Sequence, residues 1–186
     1  MPKTTDYNEI DLEKFQEYKD ICTNTFWGKE VDVSSQLLTR YTKSGDTVLN
    51  LGFDLNSPFD NRKIITIDAF KQEMVQFIVA QPDHCSSADF DYKFLEKIKT
   101  VSDFLEQNRF LALVSGDWYF NSEIHLYGFK YADSLVQQGL KLKTVIVNEI
   151  GKNNSGVSYN LWKYRALNGG FNIINHRYIF IFQKSC

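Results

Sequence analysis

Apolar positions along this chain recur with two periods, one near 3.6 residues and one near 2, and the two alternate from end to end. From Asp91 to Asn108, Phe94, Leu95, Ile98, Val101, Phe104 and Leu105 fall every three or four residues, which predicts a helix with one apolar face. Phe110–Ser115 then predicts a strand, Ile124–Gln138 repeats the helical spacing, Gly139 supplies a C-cap, and Leu142–Glu149 predicts the next strand. Upstream, Asp32 caps a helix predicted over Ser34–Thr42, whose apolar face is Leu37, Leu38 and Tyr41, and the Ser44-Gly45-Asp46 turn stops it. Thr47–Gly52, Lys63–Asp68 and Val75–Ala80 are short β-rich runs bounded by polar residues, as strands of a parallel sheet are. Phe171–Ile174 and Tyr178–Phe182 predict a closing hairpin, and Gly151–Ser158 a polar loop. Met1–Asp20 is polar, with Leu12, Phe15 and Tyr18 at helical spacing, which predicts a short amphipathic helix in an accessory segment, residues 1–24. Residues 25–186 then form one α/β domain, a mostly parallel sheet with an antiparallel edge. Periodicity does not choose among the doubly wound folds.

Composition narrows the functional classes. The 186 residues, 43% apolar and 15% aromatic, suit one globular domain with a sizeable core. A net charge of -2 means that any nucleic-acid contact must come from a local basic patch. Cys22, Cys85 and Cys186 are unevenly spaced and lack CxxC or His-rich neighbours, so no metal site and no disulfide framework is expected, and a reducing, cytoplasmic location is. No apolar run approaches the ~20 residues of a membrane span, and Met1–Glu17 is too polar for a signal peptide.

Residue strings carry more than the periods do. Asn160-Leu161-Trp162-Lys163-Tyr164-Arg165-Ala166-Leu167, the Gly169-Gly170 break, and Phe171 through Lys184 resemble the final hairpin of small DNA N4-cytosine/N6-adenine methyltransferases. Gln36 through Asn50 resembles the helix-turn-strand that leads into the cofactor loop of that family. Leu111 through Asp117 resembles its next strand with a polar end, and Gly128 through Lys143 the helix and strand after it. The resemblance covers residues 25 to 184 and implies a Rossmann-like class I AdoMet-dependent methyltransferase fold. It also implies that Asn50, Gly52 and Asp68, together with Trp27 from the Phe26-Trp27-Gly28-Lys29 segment, face S-adenosylmethionine (AdoMet), Asp68 at the ribose hydroxyls.

The resemblance fails where the chemistry should be. The family's cofactor strand continues Asp-Pro-Phe-x-Gly-Ser-Gly, whereas this chain continues Asn50-Leu51-Gly52-Phe53-Asp54-Leu55-Asn56-Ser57-Pro58. Without the Gly-x-Gly there is no close backbone turn to bring loop amides against the cofactor. The stretch up to Lys63 is also shorter than the dozen or so residues of an ordinary parallel crossover, so either the crossover is trimmed to a loop or the two strands are not paired. The catalytic Asp/Asn/Ser-Pro-Pro-aromatic signature is represented by Gln81-Pro82-Asp83-His84. Gln81 carries one methylene more than Asn, which shifts the carbonyl that would meet the target amine. Asp83 replaces a proline with a charge, and His84 replaces the aromatic that stacks on the flipped base. His84 beside Cys85 does not make a nucleophile pair, because neighbours on an extended segment point to opposite faces.

For nucleic acid, Lys152, Lys163, Arg165, His176 and Arg177 interleave with Trp162, Tyr164 and Tyr178, the mixture that suits phosphate and exposed bases. Two readings follow. In one, the chain keeps the methyltransferase fold without the AdoMet chemistry and serves as a binding or regulatory subunit, with DNA, an active methyltransferase or a second copy of itself as partner. In the other it is a divergent active AdoMet-dependent DNA methyltransferase, acting on adenine N6 or cytosine N4. Two altered motifs together favour the first.

Overall fold

The computed structural model describes residues 24–55, 61–82, 90–120, 123–150, 164, 167–168 and 174–185, excepting the side chains of Tyr119 and Phe120. The proposed accessory segment and the 151–158 loop lie outside the described residues.

Nine strands and three helices are described: β1 Phe26–Trp27, α1 Val33–Tyr41, β2 Thr47–Leu51, β3 Lys63–Thr66, β4 Val75–Ala80, α2 Tyr92–Ser102, β5 Leu105–Ser115, β6 Trp118–Phe120, β7 Glu123–His125, α3 Tyr127–Gln137, β8 Leu140–Glu149 and β9 His176–Lys184. A single 3₁₀ turn, Ile67–Ala69, follows β3. Seven strands form one sheet in the order β1-β8-β9-β5-β4-β2-β3, and β6 and β7 form a separate small hairpin. β3, β2, β4 and β5 run parallel, β9 runs antiparallel to both β5 and β8, and β1 is parallel to β8. This mostly parallel sheet, with the last strand of the chain reversed and inserted between β5 and β8, is the Rossmann-like α/β architecture that the sequence implied.

The sheet is buried on both faces, which is why its strands read as continuous apolar runs rather than alternating ones. On one face Leu49, Leu51, Ile78, Leu111, Leu113, Phe180 and Phe182 pack against Phe94, Leu95 and Ile98 of α2 and Tyr131 and Leu135 of α3. On the other, Val48, Phe77, Val79, Ala112, Val114, Ile179 and Ile181 pack against Leu37 and Leu38 of α1 and against Trp27. Asp32 caps α1 by accepting from Ser35 N (3.2 Å), and Asp91 caps α2 by accepting from Phe94 N (2.9 Å). Gly139 takes φ +102 just past α3, where a left-handed residue ends a helix.

Two helix boundaries are corrected. The helix predicted through Asn108 ends at Ser102, because Leu105 is needed as a buried strand residue opposite Val75. A register slip between Val75 and Phe77, with Asn108 at φ 62, then restores pairing at Phe110. The helix predicted from Ile124 begins at Tyr127, since Glu123–His125 pairs with Trp118–Phe120. Of the first arm of the predicted closing hairpin, residues 171–173 lie outside the described residues, and β9 pairs antiparallel with both β5 and β8. β2 and β3 are paired in parallel, Thr47 opposite Lys63 through Asn50 opposite Thr66, so of the two alternatives it is the paired one that holds.

Candidate functional site at the carboxyl edge of the sheet

Neighbouring strands β2 and β4 send their chains in opposite directions, β2 outward to β3 and β4 toward β5. Open α/β sheets bind ligands in the crevice at such a switch point. A cavity of about 210 Å³ lies there, lined by Leu51 and Gly52 after β2, Ile67 after β3, Gln81 after β4, and Asp91, Lys93, Phe94 and Lys97 of the α2 region. Its volume is below the roughly 300 Å³ at which pockets for drug-sized ligands begin.

The first turn after β2 is closed by the Asn50 side chain. Asn50 Nδ2 donates to the Phe53 carbonyl (2.8 Å), and Asn50 Oδ1 accepts from the Phe53 amide (3.1 Å). Gly52 turns the chain between them at φ +80, a conformation that glycine alone adopts without steric cost. Phe53, 6% exposed, is thereby pinned into the core. Both ends of the Asn50 carboxamide are thus committed to its own turn.

The remaining sequence candidates divide in the same way. Trp27 is fully buried in the core opposite Asn148, and its Nε1 has no hydrogen-bond partner. Asp68 sits in the 3₁₀ turn, exposed, and only its neighbour Ile67 lines the cavity. Gln81 does line it, held by its amide donating to the Leu51 carbonyl (2.9 Å). Pro82 follows, half-buried, whereas Asp83 and His84 lie outside the described residues, as do Lys152, Lys163 and Arg165. His176 and Arg177 are half-buried and engaged inside the protein. His176 Nε2 lies 3.1 Å from Tyr178 Oη, while Arg177 Nε donates to Asn148 Oδ1 (2.9 Å) and its guanidinium stands 5.6 Å over the Phe53 ring. Burial depresses the Arg177 pKa, and no carboxylate pairs with it among the described residues.

Sequence reasoning missed Asp91, Lys93 and Lys97. The four-residue spacing of the two lysines on the polar face of α2 was visible, but which way that face looks is fixed only by packing. A second polar cluster was missed too. Asp117, just past β5, is hydrogen-bonded to Tyr178, which in turn meets His176, while Asp117 Oδ1 is buried without a partner. Desolvation raises the Asp117 pKa against the opposing pull of Tyr178 and His176. Tyr178 is raised as well, first by burial and then by the Asp117 charge. Among the described residues no group of His, Cys, Asp and Glu could hold a metal, and no helix is long and apolar enough to cross a membrane.

The sequence matches no family model and no curated protein. Solved structures with a similar course of chain include an AdoMet-dependent methyltransferase of Methanosarcina mazei (13% identity, TM-score 0.49, 81% of this chain and 98% of that one). A methyltransferase of Pyrococcus furiosus matches at 13% identity and TM-score 0.46, over 81% of this chain and 80% of that one. A Thermus thermophilus protein described as a DNA modification methylase matches at 12% identity and TM-score 0.47, over 76% of this chain. The chain spans about half, 53%, of that protein's length.

The described residues do not fit AdoMet well. The cofactor brings a sulfonium and an ammonium against one carboxylate, hence a net positive charge, to a cavity bordered by two lysines and one aspartate. Both polar atoms of the Asn50 side chain are already bonded to Phe53, and Asp68 stands outside the lining.

Proposed function

We propose that this chain is a non-catalytic binding or regulatory subunit built on a methyltransferase-type fold, which retains the sheet and has given up methyl transfer. The observation that carries the reading is the loop after β2, where Asn50 and Phe53 close the turn that would otherwise present backbone amides to a cofactor. Methyl transfer depends on aligning an amine with the sulfonium methyl at near-contact distance, and angstrom-scale errors there cost orders of magnitude in rate. A chain with its cofactor loop folded on itself and Gln81 in place of the usual Asn or Asp lacks two of the parts that set this alignment. The partners consistent with the resemblance are DNA, an active methyltransferase and a second copy of this chain.

Calorimetric titration of AdoMet into the purified protein, with Asp68→Ala as control, tests the reading. The expected result is no heat up to about millimolar ligand, a binding free energy no better than roughly -4 kcal/mol. Micromolar binding that is lost in Asp68→Ala, accompanied by methyl transfer to DNA, overturns it in favour of a divergent enzyme.

A further inference from the structure

We propose that the cavity between the carboxyl ends of β2 and β4 binds a nucleoside monophosphate, its ring system against Leu51, Ile67 and Phe94 and its phosphate between Lys93 and Lys97 at the mouth. The inference rests on reading this edge as a binding site without methyl transfer, and it names the class of ligand.

Four features support it. Lys93 and Lys97 stand one helical turn apart, so their Cβ atoms lie about 5–6 Å from each other on one face of α2. Both border the cavity while remaining exposed, which places their apolar stems along its wall and their ammonium groups at its rim. Neither forms an ion pair or hydrogen bond among the described residues; the neighbouring lysine, Lys99, is the one that pairs with Glu96. The two charges are therefore unspent, and Lys93 lies in the first turn of an eleven-residue helix, whose dipole adds to its charge.

Among the described residues of the lining the one carboxylate is that of Asp91, which accepts from the Phe94 amide and is thereby fixed as the helix cap. The two lysine ammonium groups at the rim attract a phosphate and repel a sulfonium. The volume agrees: about 210 Å³ holds a ring and part of a sugar, and a phosphate extending past the rim meets the lysines in the open. Gln81, whose carboxamide has no partner among the described residues, supplies one donor and one acceptor toward the edge of a base.

The test is calorimetry at low ionic strength with AMP, GMP, CMP and UMP, the four parent nucleosides, inorganic phosphate and AdoMet, on the wild type and on the K93Q/K97Q double variant. At least one monophosphate is expected to bind about tenfold or more tightly than its own nucleoside, the yield of two charge-assisted contacts at a solvated rim. That preference is expected to fall to within about twofold in the double variant, whose melting temperature checks its fold. In the wild type it is expected to shrink likewise at about 0.5 M salt, a control that needs no variant. Equal binding of nucleotide and nucleoside, binding of inorganic phosphate as tight as that of the best nucleotide, or no nucleotide binding at all overturns the inference. Tight AdoMet binding with methyl transfer overturns the non-catalytic reading instead; an absence of binding by nucleotides and AdoMet alike removes the nucleotide inference and leaves that reading standing.

Discussion

Replacing Asn50 by alanine separates a structural role for this side chain from a ligand-binding one. In the native loop its carboxamide makes two hydrogen bonds to Phe53, at 2.8 and 3.1 Å, in part-buried surroundings. Each such bond is worth about 0.5–1.5 kcal/mol net, so the pair contributes roughly 1–3 kcal/mol. Phe53, 6% exposed, is the residue the turn delivers to the core, and loosening the turn frees it as well. For a chain of this length 1 kcal/mol moves the melting temperature by about 2–4 °C, so a midpoint loss of ~2 kcal/mol lowers Tm by roughly 4–8 °C. Urea unfolding is expected to show the same loss with an unchanged slope, since the surface exposed on unfolding is the same. Asn50→Asp is intermediate: it keeps the acceptor for the Phe53 amide and sets a second oxygen against the Phe53 carbonyl. A stability change within about 0.5 kcal/mol, the range of an uninvolved surface position, would refute the reasoning and return Asn50 to the ligand site.

Asp117 and Gly128 give two further tests. Desolvation raises the Asp117 pKa above its ordinary 3.8, so the folded state holds the proton to higher pH than the unfolded one; stability is then lost as pH rises through the window above 3.8. Asp117→Asn keeps an acceptor for Tyr178 and is expected to lack that loss, so denaturant midpoints followed from about pH 3 to 7 should diverge in its favour, and parallel profiles would sink the assignment. At Gly128 an added Cβ would meet Phe180 Cε2 at 2.9 Å and Ser115 Cβ at 3.3 Å, and Phe180 is fully buried. Overpacking of about 1–3 kcal/mol outweighs the ~1 kcal/mol that alanine gains in helix propensity, so Gly128→Ala should lower the melting temperature, and a rise would show that Phe180 has room to move.

What the sequence disclosed depended on whether a signal was local. The helices at Asp32 and Asp91 were visible because cap, apolar stripe and stop lie within one short segment, and β4 because Val75–Ala80 is apolar almost throughout. The end of α2 was not visible: Phe104 and Leu105 continue the helical spacing, and only a pairing partner far back in the chain, Val75, claims Leu105 for the sheet. The Trp118–Phe120 and Glu123–His125 hairpin escaped notice because each strand is too short to show a period. At the site, Gln81 was found by its match to the first position of the family's catalytic signature, whereas Lys93 and Lys97 belong to the cavity through the docking angle of α2. Asn50 was placed correctly in the chain, yet its hydrogen bonds go to Phe53, a local turn that the resemblance to a longer glycine-rich loop obscured.

The same division separates what holds the fold from what a catalytic site would demand. Sheet and helices are held by apolar contacts on two faces, and each such contact tolerates any residue of similar volume. Catalytic alignment tolerates almost nothing, because a displacement of an ångström is costly. The Asn50–Phe53 turn satisfies the polar groups of its own side chain and backbone while adding Phe53 to the core. The crevice does not vanish with the loop, because the opposite courses of β2 and β4 that create it belong to the sheet. A cavity of about 210 Å³ lies at that switch point, its character is set by the helix that walls it, and on that helix the charges at the cavity without a partner among the described residues are Lys93 and Lys97.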